Sequence, residues 1–294
     1  MQITTPDPAT YSALLDLEVT RLPRTERAAS AWLFEASQMW EYRHFRTVLV
    51  GDELAAWGFT ARPIFFPPDW AILHLIVAAA HEGRGVGTAL RAELTATLPD
   101  AARVLASRVD DLEERSLAVA KHWGYRVEQH GIVSELPLVD LPEPDLPPDV
   151  TIEDVAPLDF ADEDAVDAML VDSQTNPEAV QDGIVSRLAD VRTELSEVGR
   201  PFAVLARVAG APAAIITGEI KDGILLIHYT GVGRAHRGRG LALLLKQDAH
   251  LRAAAAGATR SYTTNEAANA GIRHVNAKLG YQIVTGDYRI RRER

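Results

Sequence analysis

The sequence lacks cysteine altogether, so none of its 294 residues carries a thiol. Disulfides, thiolate nucleophiles and cysteine-ligated metal sites are therefore excluded, and we expect no metal ion. Positive charge is also scarce, because 30 lysines and arginines stand against 41 aspartates and glutamates, for a formal net charge of -11. This balance argues against a nucleic-acid-binding surface. It favours cationic partners such as amines, or simply an acidic soluble surface.

Long apolar runs are absent as well. No stretch approaches the length needed to span a membrane, and residues 1–8 lack the basic head and apolar core of a secretion signal. We therefore expect a cytoplasmic protein with no membrane partner. The length of 294 residues and the apolar content of 47% suit two compact domains with separate cores.

One stretch, residues 232–242, has the features of a phosphate-binding turn. An apolar strand runs into a turn with Gly238 and Gly240, and the helix that follows has apolar residues at three-and-four spacing. Glycine lets the backbone approach a ligand, and the first N–H groups of a helix have no partner within it. Those donors, the helix dipole and the guanidinium groups of Arg237 and Arg239 favour a pyrophosphate.

This turn occurs twice in the chain. Residues 77–87 match residues 232–242 in one register, with valine, alanine, histidine, arginine and two glycines at equivalent positions. Each copy is followed at a similar interval by a Gly-Tyr pair, which ends at Tyr125 in the first copy and at Tyr281 in the second. The pattern indicates an internal repeat of a whole domain.

A proline-rich stretch separates the two copies. Residues 140–149 contain four prolines, which cannot continue a helix or sit in a central strand. We therefore predict an N-terminal domain over 1–139, an extended linker over 140–149 and a C-terminal domain over 150–294. Helical patterns precede the strands of each domain, over Pro8–Trp40, Asp164–Asp172 and Glu178–Val198.

These residues resemble the GNAT superfamily of acyl-CoA-dependent N-acetyltransferases, in a tandem arrangement that covers nearly the whole chain. Tandem members of the superfamily include mycothiol synthase. The superfamily's pyrophosphate turn is Arg or Gln, two residues, Gly, one residue, then Gly or Ala. Arg237, Gly240 and Ala242 satisfy this pattern in the second copy.

The first copy departs from the superfamily's pattern. Gly85 and Gly87 fit, but Glu82 stands where Arg or Gln is expected, and its carboxylate would disfavour a pyrophosphate. The resemblance therefore implies a degenerate N-terminal domain and an active C-terminal domain. A second possible cofactor site remains in the first copy, at Val77, Gly83, Arg84, Gly85, Val86 and Gly87.

By this resemblance the fold class is α/β (α+β), and each domain is a mixed, mostly antiparallel sheet flanked by helices. Two central strands would splay apart to admit acetyl-CoA as the co-substrate. The residues implied to bind it are Val232, Arg237, Gly238, Arg239, Gly240, Leu241, Ala242, Asn269 and Asn276. The two asparagines could equally cap and brace the last helix.

The implied chemistry needs a neutral amine, a donor for the developing oxyanion and a proton for the departing thiolate. The resemblance assigns the oxyanion donor to the backbone N–H near Val232. Glu219 is a candidate base, and an ordinary exposed strand carboxylate is the alternative reading. Many superfamily members place a tyrosine where this chain has Asn276 and Ala120, so no general acid is assigned.

The predicted function is therefore an acetyl-CoA-dependent N-acetyltransferase that acts on a primary amine of a small molecule by direct attack. One alternative is a non-catalytic acyl-CoA-binding or regulatory protein, suggested by the missing tyrosine and the altered first turn. Another is a protein-lysine acetyltransferase, which differs only in the acceptor. No nucleic-acid partner is expected, and monomer and homodimer both stay open.

Overall fold

The computed structural model of the chain describes residues 1–22, 32–35, 37–174 and 185–294. Within these ranges the chain forms seven α-helices and twelve β-strands. None of these helices is both long enough and apolar enough to cross a membrane.

The chain folds into two compact units. The first unit contains Met1–Gln129 and Asp287–Arg294, and the second contains His130–Gly286. Each unit has a mostly antiparallel sheet, and a hydrophobic core lies on each of its two faces. The predicted fold class is therefore confirmed.

The sheet of the first unit runs antiparallel from β1 to β4, and β4 then pairs in parallel with β5. The second half of β12 pairs antiparallel with the other edge of β5. The strands are β1 (Gln2–Thr4), β2 (Trp40–Val50), β3 (Glu53–Pro63), β4 (Trp70–Val77), β5 (Val104–Asp110) and β12 (Gln282–Glu293). The helices are α1 (Tyr11–Arg21), α2 (Val86–Ala96) and α3 (Glu114–His122).

Side-chain periodicity explains how these helices cover the sheet. Leu90 and Leu94, one helical turn apart on α2, are fully buried in one core together with Leu73 of β4. On the opposite face, Leu14 of α1 packs in a second core with Trp57 of β3. Alternate side chains along the strands are therefore buried in two separate cores.

The second unit repeats this plan. Its strands are β6 (Arg126–Pro137, from His130 onward), β7 (Val150–Asp154), β8 (Pro201–Val208), β9 (Ala211–Lys221), β10 (Ile224–Val232) and β11 (Arg260–Glu266). Its helices are α4 (Glu163–Ser173), α5 (Leu188–Ser196), α6 (Leu241–Ala255) and α7 (Ala270–Leu279). β10 and β11 form the parallel pair, as β4 and β5 do in the first unit.

The two central strands differ in one detail. The pairing of β9 with β10 shifts by one residue between Ile227 and Tyr229, so His228 is an extra residue in β10. The pairing of β3 with β4 runs without a shift from Ala56–Val77 to Ala61–Ile72. Such a bulge bends the strand and interrupts the regular pairing at that point.

The units exchange their closing strands, so their limits differ from the predicted ranges of 1–139 and 150–294. Residues 131–137 of β6 pair with β11, and residues 287–293 of β12 pair with β5. Leu136 is accordingly buried in a core of the second unit and Ile290 in a core of the first. In sequence order, β6 ends the first domain and β12 ends the second. Each strand nevertheless pairs with a strand of the other unit, which lies far away in the sequence. Residues 140–147 form neither helix nor strand, as the prolines predict.

The predicted helices compare as follows with the described residues. α1 and α4 occur where helical patterns were predicted, and α5 forms the later part of the pattern over Glu178–Val198. The described residues between 32 and 40 are not α-helical, because Trp32–Phe34 forms a 3₁₀ helix and Trp40 begins β2. Residues 23–31, 36 and 175–184 of these patterns lie outside the described residues.

Candidate functional site

In both units the parallel strand pair separates before its strands end. β4 pairs with β5 only from Trp70 to Ile72, although β4 continues to Val77. β10 pairs with β11 only as far as Ile227, although β10 continues to Val232. Each unit therefore has a gap between two central strands, beside the last residues of β4 or β10.

The last valine of each central strand turns its backbone toward this gap. Ala78 donates to the Ala55 carbonyl at 2.8 Å, and Gly233 donates to the Ala213 carbonyl at 2.9 Å. Hydrogen-bonded and non-hydrogen-bonded pairs alternate along an antiparallel ladder, so the residue before each of these donors faces away from its neighbour. The N–H of Val232, predicted as an oxyanion donor, and the equivalent N–H in β4 therefore face the gaps.

The two glycine-rich turns have the same backbone conformation. Gly83 and Gly85 have φ of 72° and 80°, and Gly238 and Gly240 have φ of 76° and 77°. These left-handed values favour glycine at each position. Helices α2 and α6 begin directly after the turns, at Val86 and Leu241, and no side chain caps either helix. The first N–H groups of both helices can therefore bind an anion.

The remaining predicted residues of the turns differ in how closely they are packed. A Cβ atom added to Gly87 would lie 3.3 Å from a Val77 methyl group, a tight contact that the methyl group would have to relieve by a small shift. Ala242, its counterpart on α6, is half-buried, and Arg84 is exposed.

In the second turn the predicted cationic side chains bind the protein itself. Arg237 donates from Nε to the Val232 carbonyl and from Nη2 to the Ser173 carbonyl, both at 3.2 Å. Arg239 pairs with Asp149 at 2.8 Å, and this hydrogen bond lowers the pKa of the carboxyl group.

In the first turn Glu82 has two guanidinium partners. Its carboxylate oxygens lie 2.6 Å from Arg21 Nη2 and 2.5 Å from Arg115 Nη1. Arg21, from the end of α1, also donates from Nε to the Val77 carbonyl at 3.1 Å. Arg21 also lies 3.7 Å from Glu113, so the two guanidinium groups are shared between two carboxylates.

A cavity of 420 Å³ opens in the first unit between its turn and the separated strands. Its walls include residues of the strands, the turn and α3, among them His74, Val77, Gly85, Ser107, Val109, Ala120, Trp123 and Tyr125. Arg21, Glu82 and Arg115 line its rim. The cavity therefore reaches from the glycine-rich turn to the end of β4.

The equivalent positions of the second unit are bridged by hydrogen bonds. Strand register and the Gly-Tyr pairs equate Ser107, Val109 and Ala120 with Thr263, Asn265 and Asn276. Lys246 donates from Nζ to Asn276 at 2.9 Å and to Thr263 at 3.3 Å, and Asn276 donates to Asn265 at 3.0 Å. Three positions that line a cavity in the first unit are thus joined by polar contacts in the second.

Both asparagines implied as cofactor ligands contact the protein. Asn276 is 4% exposed, and its side-chain oxygen and nitrogen both have protein partners. Asn269 is the N-cap of α7, where its oxygen accepts from the backbone N–H of Ile272 at 3.2 Å. These contacts correspond to the capping and bracing role.

Burial shifts the pKa of several groups around Lys246. The Lys246 side chain is fully buried, which lowers its pKa to about 7. Burial also lowers the pKa of His250 to about 3, with a smaller effect from the positive charge of Lys246. Tyr281 bonds both His250, at 2.8 Å, and Ser261, at 2.7 Å, and burial raises its pKa.

Each unit places a histidine and a carboxylate near its central strand. In the second unit, Glu219 Oε1 lies 3.8 Å from His228 Nε2, and Glu194 lies 2.8 Å from the other ring nitrogen. In the first unit, Glu18 of α1 lies 3.8 Å from His74 Nε2. Burial lowers the pKa of His74 to about 4, so its imidazole is uncharged at neutral pH.

Within the described residues, no group of three or more metal-ligating side chains is present.

Sequence reasoning missed Arg21, Arg115, Glu18 and Lys246, because they reach their sites from helices far away in the chain. His74 did carry a signal, since it stands three residues before Val77 as Tyr229 stands three before Val232.

None of the protein-family models matches this sequence, and none of the curated proteins matches it significantly. Solved structures do match over the whole chain. A GCN5-related N-acetyltransferase from Sphaerobacter thermophilus has a TM-score of 0.79 at 18% identity, over 99% of this chain and 95% of the other.

Two further structures have similar scores. A tandem GNAT protein from the clavulanic acid biosynthesis pathway has a TM-score of 0.75 at 20% identity, over 99% of this chain and 98% of the other. The GCN5-related glucosamine N-acetyltransferase region of a fungal multi-domain β-N-acetylglucosaminidase has a TM-score of 0.74 at 14% identity, over 99% of this chain and 38% of the other. The likenesses confirm that the chain has the tandem GNAT fold.

Proposed function

We propose that the chain is an acetyl-CoA-dependent N-acetyltransferase, which transfers an acetyl group to a primary amine of a small molecule by direct attack. The observation that carries this proposal is the 420 Å³ cavity, which joins an anion-binding turn to separated strands in the first unit. The fold shared with N-acetyltransferases supports the reaction class. The absence of cysteine fits a reaction without a thiol nucleophile.

We assign acetyl-CoA to the first unit. The turn offers the N–H groups at the start of α2, and Arg84, exposed between Gly83 and Gly85, adds positive charge. Glu82 does not oppose an anion alone, because two guanidinium groups bind its carboxylate. The residues of this unit therefore fit a pyrophosphate and the pantetheine chain attached to it. Binding in the second unit, which the motif around Arg237 predicts, stays a prediction.

Bound acetyl-CoA supplies an acetyl group activated as a thioester. The N–H of Val77 faces the gap and is the candidate donor to the thioester oxygen as that oxygen gains negative charge. His74 is the candidate proton acceptor, because its imidazole lines the cavity and is uncharged at pH 7; the burial that lowers its pKa to about 4 also makes it a weaker base than an exposed histidine. Glu18 Oε1 lies 3.8 Å from His74 Nε2, beyond hydrogen-bond distance, and is the nearest carboxylate to this ring among the described residues.

The second unit fits a supporting role better than a catalytic one. Its counterpart positions are bridged through Lys246 and Asn276, and Arg237 binds two backbone carbonyl groups. These contacts favour the non-catalytic alternative for this unit. Glu219 and Val232 remain the residues to examine if the second unit proves active.

Thiol release from acetyl-CoA in the presence of a panel of amines tests the proposal. The protein has no cysteine, so a thiol reagent reports only released coenzyme A. Release that depends on a small primary amine, with the N-acetyl product identified by mass spectrometry, is expected. Release only with lysine-containing peptides would favour the protein-lysine alternative. Binding of acetyl-CoA without any release would favour the regulatory alternative, and neither binding nor release would contradict all three.

A further inference from the structure

A second, smaller pocket of 230 Å³ lies in the first unit, apart from the glycine-rich turn. It is formed by α2, β5, Arg292 in β12, Arg294 directly after β12, and Tyr125, three residues after the end of α3. Its lining includes Arg91, Thr95, Leu105, Tyr125, Arg292 and Arg294. Three guanidinium groups thus meet at one pocket of a chain whose net charge is -11.

These three arginines have no acidic partner in the described part of the chain. Arg91 lies over the Trp123 ring, with Cζ 4.7 Å from its centroid. Arg292 donates to the Trp123 carbonyl at 2.8 Å, and Arg294 donates to the Pro99 carbonyl at 3.1 Å. All these partners are uncharged, and no carboxylate of the described residues lies within 4 Å of these three guanidinium groups.

Two buried polar atoms at the pocket also lack a partner among the described residues. One is the hydroxyl of Tyr125, a residue only 6% exposed, and the other is Nε of Arg91. Burial raises the pKa of Tyr125 to about 12, although Arg292 and Arg91 oppose this effect. The hydroxyl therefore keeps its proton and can donate. A buried donor without an acceptor costs free energy, which a bound acceptor would offset.

In the second unit, the residues at the equivalent positions are hydrogen-bonded to their neighbours within the protein. Tyr281, the counterpart of Tyr125, binds Ser261 at 2.7 Å and His250 at 2.8 Å. Lys246, the counterpart of Arg91, binds Asn276 at 2.9 Å.

The two remaining arginines also have counterparts in the second unit. Arg292 pairs with Leu105 in the sheet, as Leu136 pairs with Ser261. Arg294 donates its backbone N–H to Arg103, as Leu138 does to Thr259. Two buried leucines thus stand where the first unit has two arginines. One unit has a closed, satisfied cluster and the other a basic pocket with unused donors.

We propose that this pocket binds a small phosphate-like oxyanion, held by the guanidinium groups of Arg91, Arg292 and Arg294 and by the Tyr125 hydroxyl. Guanidinium groups bind such oxygens through charge-assisted, directed hydrogen bonds. The volume of 230 Å³ is several times the roughly 30 Å³ that one water molecule occupies in the liquid. This site does not depend on the proposed acetyltransferase activity.

Isothermal titration with inorganic phosphate at constant ionic strength tests the site. We expect saturable binding by the wild-type protein and an affinity about tenfold or more lower for Arg292→Gln, because one charge-assisted contact is lost. Tyr125→Phe keeps the ring and should weaken binding by a smaller factor. Arg126→Gln, at an exposed arginine, is the matched control and should bind as the wild type does. Circular dichroism checks that each variant is folded.

Two further arms identify the anion and its place. Gly85→Val, which alters the glycine-rich turn, should leave phosphate binding unchanged, whereas a loss would move the anion to that turn and overturn the proposal. Saturating coenzyme A should not compete with free phosphate, and competition that Arg292→Gln abolishes would identify a phosphate group of coenzyme A as the occupant of the same pocket. No saturable phosphate binding, or equal affinity for wild type and Arg292→Gln, would also overturn the site.

Discussion

Arg21 donates from Nε to the carbonyl oxygen of Val77 at 3.1 Å. In the second unit, Arg237 donates from Nε to the carbonyl oxygen of Val232 at 3.2 Å. A guanidinium group thus binds the equivalent carbonyl in each unit, but it comes from α1 in the first and from the turn in the second. The first unit therefore keeps a guanidinium group on this carbonyl, although Glu82 stands where the second turn has Arg237.

Glu82→Arg restores the superfamily's motif in the first turn. The motif and the observed contacts of Glu82 predict opposite effects of this substitution on acetyl-CoA binding. We expect weaker, not stronger, acetyl-CoA binding, because Arg21 and Arg115 would lose their shared carboxylate and face a third cation. The free energy of unfolding should fall by about 1 to 2 kcal/mol. Calorimetric titration and denaturant unfolding measure the two effects. A gain in affinity would support the motif-based expectation that Glu82 disables the turn.

His74→Ala tests the proposed proton acceptor. We expect kcat to fall about a hundredfold while binding of acetyl-CoA is preserved, since general-base catalysis contributes that order of rate. Because burial lowers the pKa of His74 to about 4, the wild-type rate should not drop as pH falls from 7 to 5.5 on account of this group. Steady-state kinetics of wild type, His74→Ala and the exposed control His44→Ala provide the comparison. Equal kcat for all three would remove His74 from the mechanism.

The repeated turn could be predicted from sequence because its geometry demands particular residues. The left-handed backbone at Gly85 and Gly240 favours glycine, so both turns have glycine at this position and can be matched in the sequence. The cavity itself was not predicted, although Ala120 and Asn276 differ in size at equivalent positions. What could not be predicted was which distant groups meet at each turn.

The contact between Arg21 and Glu82 joins residues 61 positions apart. No local pattern encodes such a contact. The exchange of β6 and β12 likewise depends on pairing between distant strands, and each of these strands reads locally as the end of its own domain.

Lys246 should make stability rise with pH above neutrality. Its pKa is about 7 in the folded protein and 10.5 when unperturbed, so between these values the unfolded chain holds a proton that the folded chain does not. The free energy of unfolding should therefore increase with pH in this window, by up to about 1.4 kcal/mol per pH unit. Denaturant unfolding at pH 7 and pH 9 measures this slope for wild type and Lys246→Met, with the exposed Lys278→Met as control. The slope should flatten only in Lys246→Met, and parallel profiles for all three would contradict the assignment.

His250 should make the protein sensitive to acid. Its pKa is lowered from 6.5 to about 3, so the unfolded chain binds a proton between these values while the folded chain stays neutral at this site. Stability should therefore fall as pH drops from 6.5 toward 3, again by up to about 1.4 kcal/mol per pH unit. Thermal unfolding at pH 7, 6 and 5 should show a shallower decline for His250→Gln than for wild type or for exposed His274→Gln. A decline of the same steepness in His250→Gln would show that other groups control the acid response.

The proposal that the first unit holds acetyl-CoA is tested most directly by a matched pair of turn variants. Gly85 and Gly240 have nearly equal φ, and a Cβ atom at either meets nothing within 4 Å. Gly85→Val and Gly240→Val should therefore carry a similar backbone strain, of about 1 to 2 kcal/mol. Acetyl-CoA is titrated calorimetrically into wild type and both variants. We predict that Gly85→Val loses binding while Gly240→Val keeps the wild-type affinity; loss of binding in Gly240→Val alone would contradict the assignment to the first unit.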